Sequence, residues 1–140
     1  MSQTTTQAID QFISEWKIDS NAIKKDFIFL KTNLETKSNI KIDFVSRPGV
    51  SFSLRAAHAA QKKRSLFVMI DVIDDDPENR WLSVCFYGEM ITDPEEKGDL
   101  IPGGLLGEDG YCFDHEEGND ADIAYIQSRI DEACAAAEKE

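Results

Sequence analysis

Three groups of side chains in this chain of 140 residues have types and spacings that could do chemistry. The first is acidic: carboxylates crowd into 74–78, 93–99 and 114–122, with His115 between Asp114 and Glu116. Hard divalent cations take oxygen ligands, so such clusters raise a calcium or transition-metal reading. The EF-hand pattern is missing, because Asp74-Asp75-Asp76-Pro77 breaks the alternation of acids, while Asp114, Glu116, Gly118, Asp120 and Asp122 put glycine one place too early. These runs read first as solvated surface, and no metal ligand is assigned. The second is Asp71 among Phe67, Met69 and Ile73, where desolvation raises a carboxyl pKa unless a cation such as Arg55 compensates. Its plainer reading is a solvated residue near a strand end. The third is Lys62-Lys63-Arg64, the one concentrated basic run, expected as a solvated turn able to meet an acidic partner, a second subunit included. Catalytic signatures are absent. Gly49-Val50-Ser51-Phe52-Ser53 is not a nucleophile elbow, and Gly103-Gly104-Leu105-Leu106-Gly107 lacks the ending of a phosphate loop and lies among acids that repel phosphate. No catalytic residue is assigned and no cofactor is expected.

The charge balance bounds the partners. With 27 Asp or Glu against 15 Lys or Arg the formal charge is −12, which argues against direct nucleic-acid binding and against an anionic membrane surface. That charge is unevenly spread. Residues 1–70 hold 11 basic and 6 acidic side chains, residues 71–122 hold 2 and 17, and residues 123–140 hold 2 and 4. The molecule is therefore electrically two-sided, which favours self-association or a basic partner on the acidic side. Hydrophobic residues at 41% are too many for a disordered acidic tail, and the length suits one domain over 1–140. Residues 1–7 lack a secretory pattern and no window reaches about 18 consecutive apolar residues, so a cytoplasmic protein is expected. Cys85, Cys112 and Cys134, odd in number and widely spaced, with His58 and His115 far apart, suggest free or structural thiols rather than a disulfide framework or zinc site.

Hydrophobic spacing supplies the elements that would position these groups. Ile9, Phe12, Ile13 and Trp16 predict a helix over about 6–17, and Ile23, Phe27, Leu30 and Leu34 a second over about 20–35 with Ser20 as its cap. The period then changes to two. Strands are predicted at Ile40–Phe44 and Val50–Leu54 around the Arg47-Pro48-Gly49 turn, then at Leu66–Ile73 and Trp81–Tyr87. Seven of the eight glycines lie in 88–118, a long connection with at most a short strand at Tyr111-Cys112-Phe113. Asn119 or Asp120 caps a last helix with Ile123, Ile126, Ile130, Ala133 and Ala137 in one stripe. The expected class is α+β: a helical pair at 6–36, a meander at 40–88 of four or at most five antiparallel strands, a glycine-rich acidic connection at 89–118, and a C-terminal helix at 119–138 on one face.

Strands three and four are apolar on both sides, so the face away from the helices needs a cover. Three are open: the glycine-rich segment folded back, a second copy of the chain, or a ligand or protein partner. The patch comprises Arg55, Phe67, Met69, Asp71, Trp81, Ser83 and Tyr87. The favoured expectation is a noncatalytic binding or interaction module, with a homodimer or protein partner on that face. One alternative is a small-ligand or enzyme domain with 88–118 as a lid and Asp71, Tyr87 and His115 as polar groups. The other is a divalent-metal or acidic-mimic role for the carboxylates.

The order helix, antiparallel strands, helix, with Arg80-Trp81-Leu82-Ser83 opening a late strand, resembles over about half the chain the layout of frataxin-like domains. In that family an acidic ridge lies on the first helix and first strand. Helix one here holds only Asp10 and Glu15, so neither function nor site residues are carried over.

Overall fold

The computed structural model describes residues 4–140. The first helix, α1 (Thr5–Glu15), starts at a capping box: the Thr4 hydroxyl accepts the Gln7 N–H, and the Gln7 side chain accepts the Thr4 N–H. It buries Ile9 and Phe12, with Trp16 buried just beyond its end. The second, α2 (Lys24–Glu35), begins later than its spacing predicts. Ser20 does not cap it. Ala22 sits in the left-handed region at φ 57°, which delays the helix, and the Asp19 carboxylate accepts the N–H groups of Ile23 and Lys24. Phe27, Leu30 and Leu34 are fully buried as their stripe requires.

The strands are β1 (Ile40–Arg47), β2 (Ser51–His58), β3 (Val68–Ile73), β4 (Trp81–Tyr87), β5 (Asp99–Leu105) and β6 (Glu108–His115). They form one antiparallel sheet in the order β1-β2-β3-β4-β6-β5. The fold is thus α+β with three helices and six strands, where four or five strands were expected. The 89–118 segment is no plain connection: after a 3₁₀ turn at Gly88–Met90 and a loop, it builds the β5–β6 hairpin, with β6 beside β4. Pro102, Gly103 and Gly104 hid β5 from the sequence pattern. The register shift between Ile101 and Leu105 absorbs them, and an edge strand tolerates a proline and an irregular ladder. The hairpin turn carries Leu106 and Gly107 at positive φ.

All three helices lie on one face. Phe12 of α1 stacks on Phe52 of β2 with ring centroids 4.3 Å apart, Phe27 of α2 meets Phe12 edge-on, and Tyr125 of α3 (Asp120–Glu138) meets Phe113 of β6. Leu54, Val68, Ile70, Val72, Leu82, Val84 and Phe86 supply the sheet's side of this core. Asn119 caps α3 by accepting the Asp122 N–H, and all five residues of the predicted stripe are buried. No helix among the described residues is long and apolar enough to cross a membrane.

Candidate functional site

The face away from the helices is laid out by register, because partners across an antiparallel ladder point the same way. One row reads Val45, Ser53, Asp71, Ser83, Asp114 across β1, β2, β3, β4 and β6. The next reads Asp43, Arg55, Met69, Cys85, Cys112, Asp99 and reaches β5. A third holds Arg47, Ser51, Ile73 and Trp81. The charges are segregated along these rows. β1 and β2 present Lys41, Arg47 and Arg55 against Asp43, whereas β6 and β5 present Asp114, Asp99 and Glu108.

Asp71 lies in mid-strand, not at a solvated end. Its Oδ1 is buried without a hydrogen-bond partner, and burial pushes its carboxyl pKa up against the opposing pull of the Ser53 hydroxyl and the Arg55 and Arg47 charges. Arg55 donates from Nε to Ser53 Oγ at 3.2 Å, so Ser53 links the two charged groups. Ser83 Oγ lies 3.6 Å from Cys85 Sγ. Arg55, Asp71, Trp81 and Ser83 are partly exposed and form the open end of the face.

The other end is covered. Phe67 precedes β3, donates its N–H to the Ala56 carbonyl and is fully buried, so it offers no contact surface. Tyr87 is 3% exposed, with the Arg64 guanidinium 4.3 Å above its ring and that arginine tied to Glu89 and Glu108. Met69 is buried as well. The β5–β6 tip reaches toward this end: Leu105 is fully buried, and Leu106 shares a groove of about 200 Å³ with Arg55, Ser65 and Leu66. The glycine-rich segment therefore bears on one end of the face and leaves the Asp71–Ser83 end open. Cys85 and Cys112 stand opposite each other with Cα atoms 4.1 Å apart and form a disulfide; only Cys134 is a free thiol. This corrects the expectation of free thiols, and the pairing was hidden because it requires the unrecognised β4–β6 ladder.

A second concavity lies on the helix side. A cleft of about 510 Å³ is lined by Lys97, the 113–119 segment, Asp122, Tyr125 and Ile126. His115 forms part of its wall, and its Nε2 lies 2.6 Å from Asp26 Oδ2, both side chains being 3% exposed. Asp26 also accepts the Asn119 N–H, which joins α2, the end of β6 and the start of α3. The sequence flagged His115 but not Asp26, since an acid within an apolar helical stripe announces burial only once its partner is known. Asp71 and Tyr87, grouped earlier with His115, lie on the opposite face of the sheet. Beside the cleft, Asp93 accepts from the Lys97 and Gly98 N–H groups and from the Tyr111 and Tyr125 hydroxyls. Burial alone would raise its carboxyl, and these donors overcome that and bring it down to about 2.

The acidic clusters are largely spent on turns. Asp74 accepts from Gly49 N–H and Arg80, and Asp76 from Glu78 N–H and the Asn79 amide. Among the described residues no three His, Cys, Asp or Glu side chains gather so as to hold a metal ion. No family model, curated protein or solved structure matches this chain.

Proposed function

We propose that the protein is a noncatalytic interaction module whose partner surface is the open end of the helix-free sheet face, and that its first partner is a second copy of itself. The observation that supports this is the charge layout. A two-fold axis parallel to the strands and over the β3–β4 midline sets β2 of one copy over β6 of the other and β1 over β5. Arg47 and Arg55 then meet the side carrying Asp114 and Asp99, with Asp71, Ile73, Trp81 and Ser83 in the middle. Trp81 supplies the aromatic anchor that such contacts favour. Light scattering across the micromolar range tests this. The expected result is a dimer that Trp81→Ala weakens, that Arg55→Glu or Asp114→Arg alone disrupts, and that the double charge swap restores. A monomer at every concentration, or charge variants that dimerise as the parent does, overturns it.

The helix-side cleft supports a second reading, a small-ligand site. Lys97, its single basic side chain, is already paired with Asp122, which leaves Glu116 and Glu117 unbalanced, so its ligand is an organic cation able to donate hydrogen bonds. A thermal-shift series with linear polyamines reads this, with stabilisation lost in Asp122→Asn and Glu116→Gln. Absence of any shift in the parent rejects it.

A further inference from the structure

The basic loop Lys62-Lys63-Arg64 is used neither by the open sheet face nor by the cleft, and its backbone is already holding an anion. The N–H groups of Lys62 and Lys63 donate to Glu140 Oε1 at 3.1 and 2.9 Å. Burial alone would raise the Glu140 carboxyl, but the N–H groups of Lys63, Lys62 and Arg64, with the Gln61 side chain, hold it below its ordinary value. Successive backbone N–H groups converging on one oxygenated anion form a nest, a concavity with fixed partial positive charge. The residues that form it carry three cationic side chains. Arg64 is committed to Glu89 and Glu108, Lys63 reaches Glu89, and exposed Lys62 has no ion-pair partner among the described residues.

Gln61 fixes the loop from both sides: its side chain accepts the His58 N–H and donates to the Leu66 carbonyl. The nest is thus braced independently of Glu140. Beyond α3, whose last buried residue is Ala137, the Lys139 and Glu140 N–H groups still donate to the Ala136 and Ala137 carbonyls. The Glu140 carboxylate leaves the nest by rotation of its own side chain, with α3 in place.

We propose that the 61–64 loop is an oxyanion-binding site for a phosphoryl group, and that Glu140 is its intramolecular occupant, so that ligand binding and docking of the Glu140 side chain compete. A phosphate offers more acceptor oxygens and more charge than a carboxylate, which suits three N–H donors flanked by Lys62 and Lys63. A tethered competitor acts at an effective concentration in the millimolar range, so the parent binds free anion weakly.

Inorganic phosphate titrated into the full chain, followed through the backbone amide resonances of Lys62, Lys63 and Arg64, tests this. In Glu140→Ala those three amides should shift with an apparent affinity at least about twofold tighter than in the parent, the factor reached when the effective concentration of the tethered carboxylate equals its own dissociation constant. Lys62→Ala in that background should weaken binding, and acetate should bind less tightly than phosphate. Three outcomes overturn the proposal: no saturable shift at these amides in Glu140→Ala, equal affinity in parent and Glu140→Ala, or acetate binding as tightly as phosphate. Failure of this site leaves the dimer readout untouched, since the loop is not part of the open end of the face.

Discussion

The two faces of the sheet use the same six strands and are held by different forces. On the helix side, Leu54, Ile70, Val84 and Phe86 are fully buried against three helices, and the ionisable pair His115–Asp26 is buried there and hydrogen-bonded. On the other side, a polar row through Ser53, Asp71 and Ser83 runs beside a covalent link, Cys85–Cys112, and the Asp71 carboxyl is partly desolvated without a full set of partners. The first arrangement is what a folding core needs. The second leaves an acid whose charged form is disfavoured in the free chain, as suits a surface completed by something else.

The sharpest way to break this contrast is to empty one position on each side. Phe86→Ala should cost about 4 kcal/mol in urea unfolding, the usual loss for a fully buried phenylalanine, whereas Trp81→Ala should cost far less and act on association. Equal costs would show that the faces are not distinct. Next in size is the disulfide. It closes a loop of 27 residues, so reduction, or Cys85→Ala with Cys112→Ala, should remove about 3 kcal/mol, read as a fall in the urea midpoint. A null result would mean that the β4–β6 ladder holds without it.

Smaller effects come from single carboxylates, and their signs differ. Asp93 is held at about 2, below its unfolded value, so its contribution is complete above the ordinary carboxyl range and lost as pH falls through about 2. Asp93→Asn should cost about 1.5 kcal/mol at neutral pH, the low end for hydrogen bonds to a charged group because the carboxylate is partly exposed. The difference from the parent should close on acidification. Asp71 runs the other way. Its pKa is raised by burial, so its charge opposes folding at neutral pH and the penalty vanishes as pH falls below the unfolded carboxyl pKa. Asp71→Asn should therefore raise the thermal midpoint slightly at neutral pH and leave it unchanged in acid. A lowered midpoint at neutral pH would place Asp71 among the structural groups.

How much of this was legible in the sequence depended on periodicity. The stripe Ile123, Ile126, Ile130, Ala133, Ala137 and the alternation in β1 and β2 predicted which residues pack on the core, because a helix or strand interior repeats at a fixed step. The β5–β6 hairpin was not legible. Pro102, Gly103 and Gly104 erase the alternation at the point where the strand departs from regular pairing. That single omission concealed the disulfide and the acidic strands of the open face. Strand parity put Arg55, Asp71, Trp81 and Ser83 on the helix-free face, where the register also has them, while Phe67 precedes β3 and is fully buried.

By itself, then, the sequence determined the three helices, the first four strands and the division of charge between the first half of the chain and the middle, since these depend on side-chain order alone. Tertiary structure decided which distant groups meet: Asp26 with His115, Cys85 with Cys112, and Glu140 with the N–H groups of Lys62 and Lys63. Each meeting is fixed by strand order and helix docking, which bring together residues from 27 to 89 positions apart. No local spacing encodes a contact of that range.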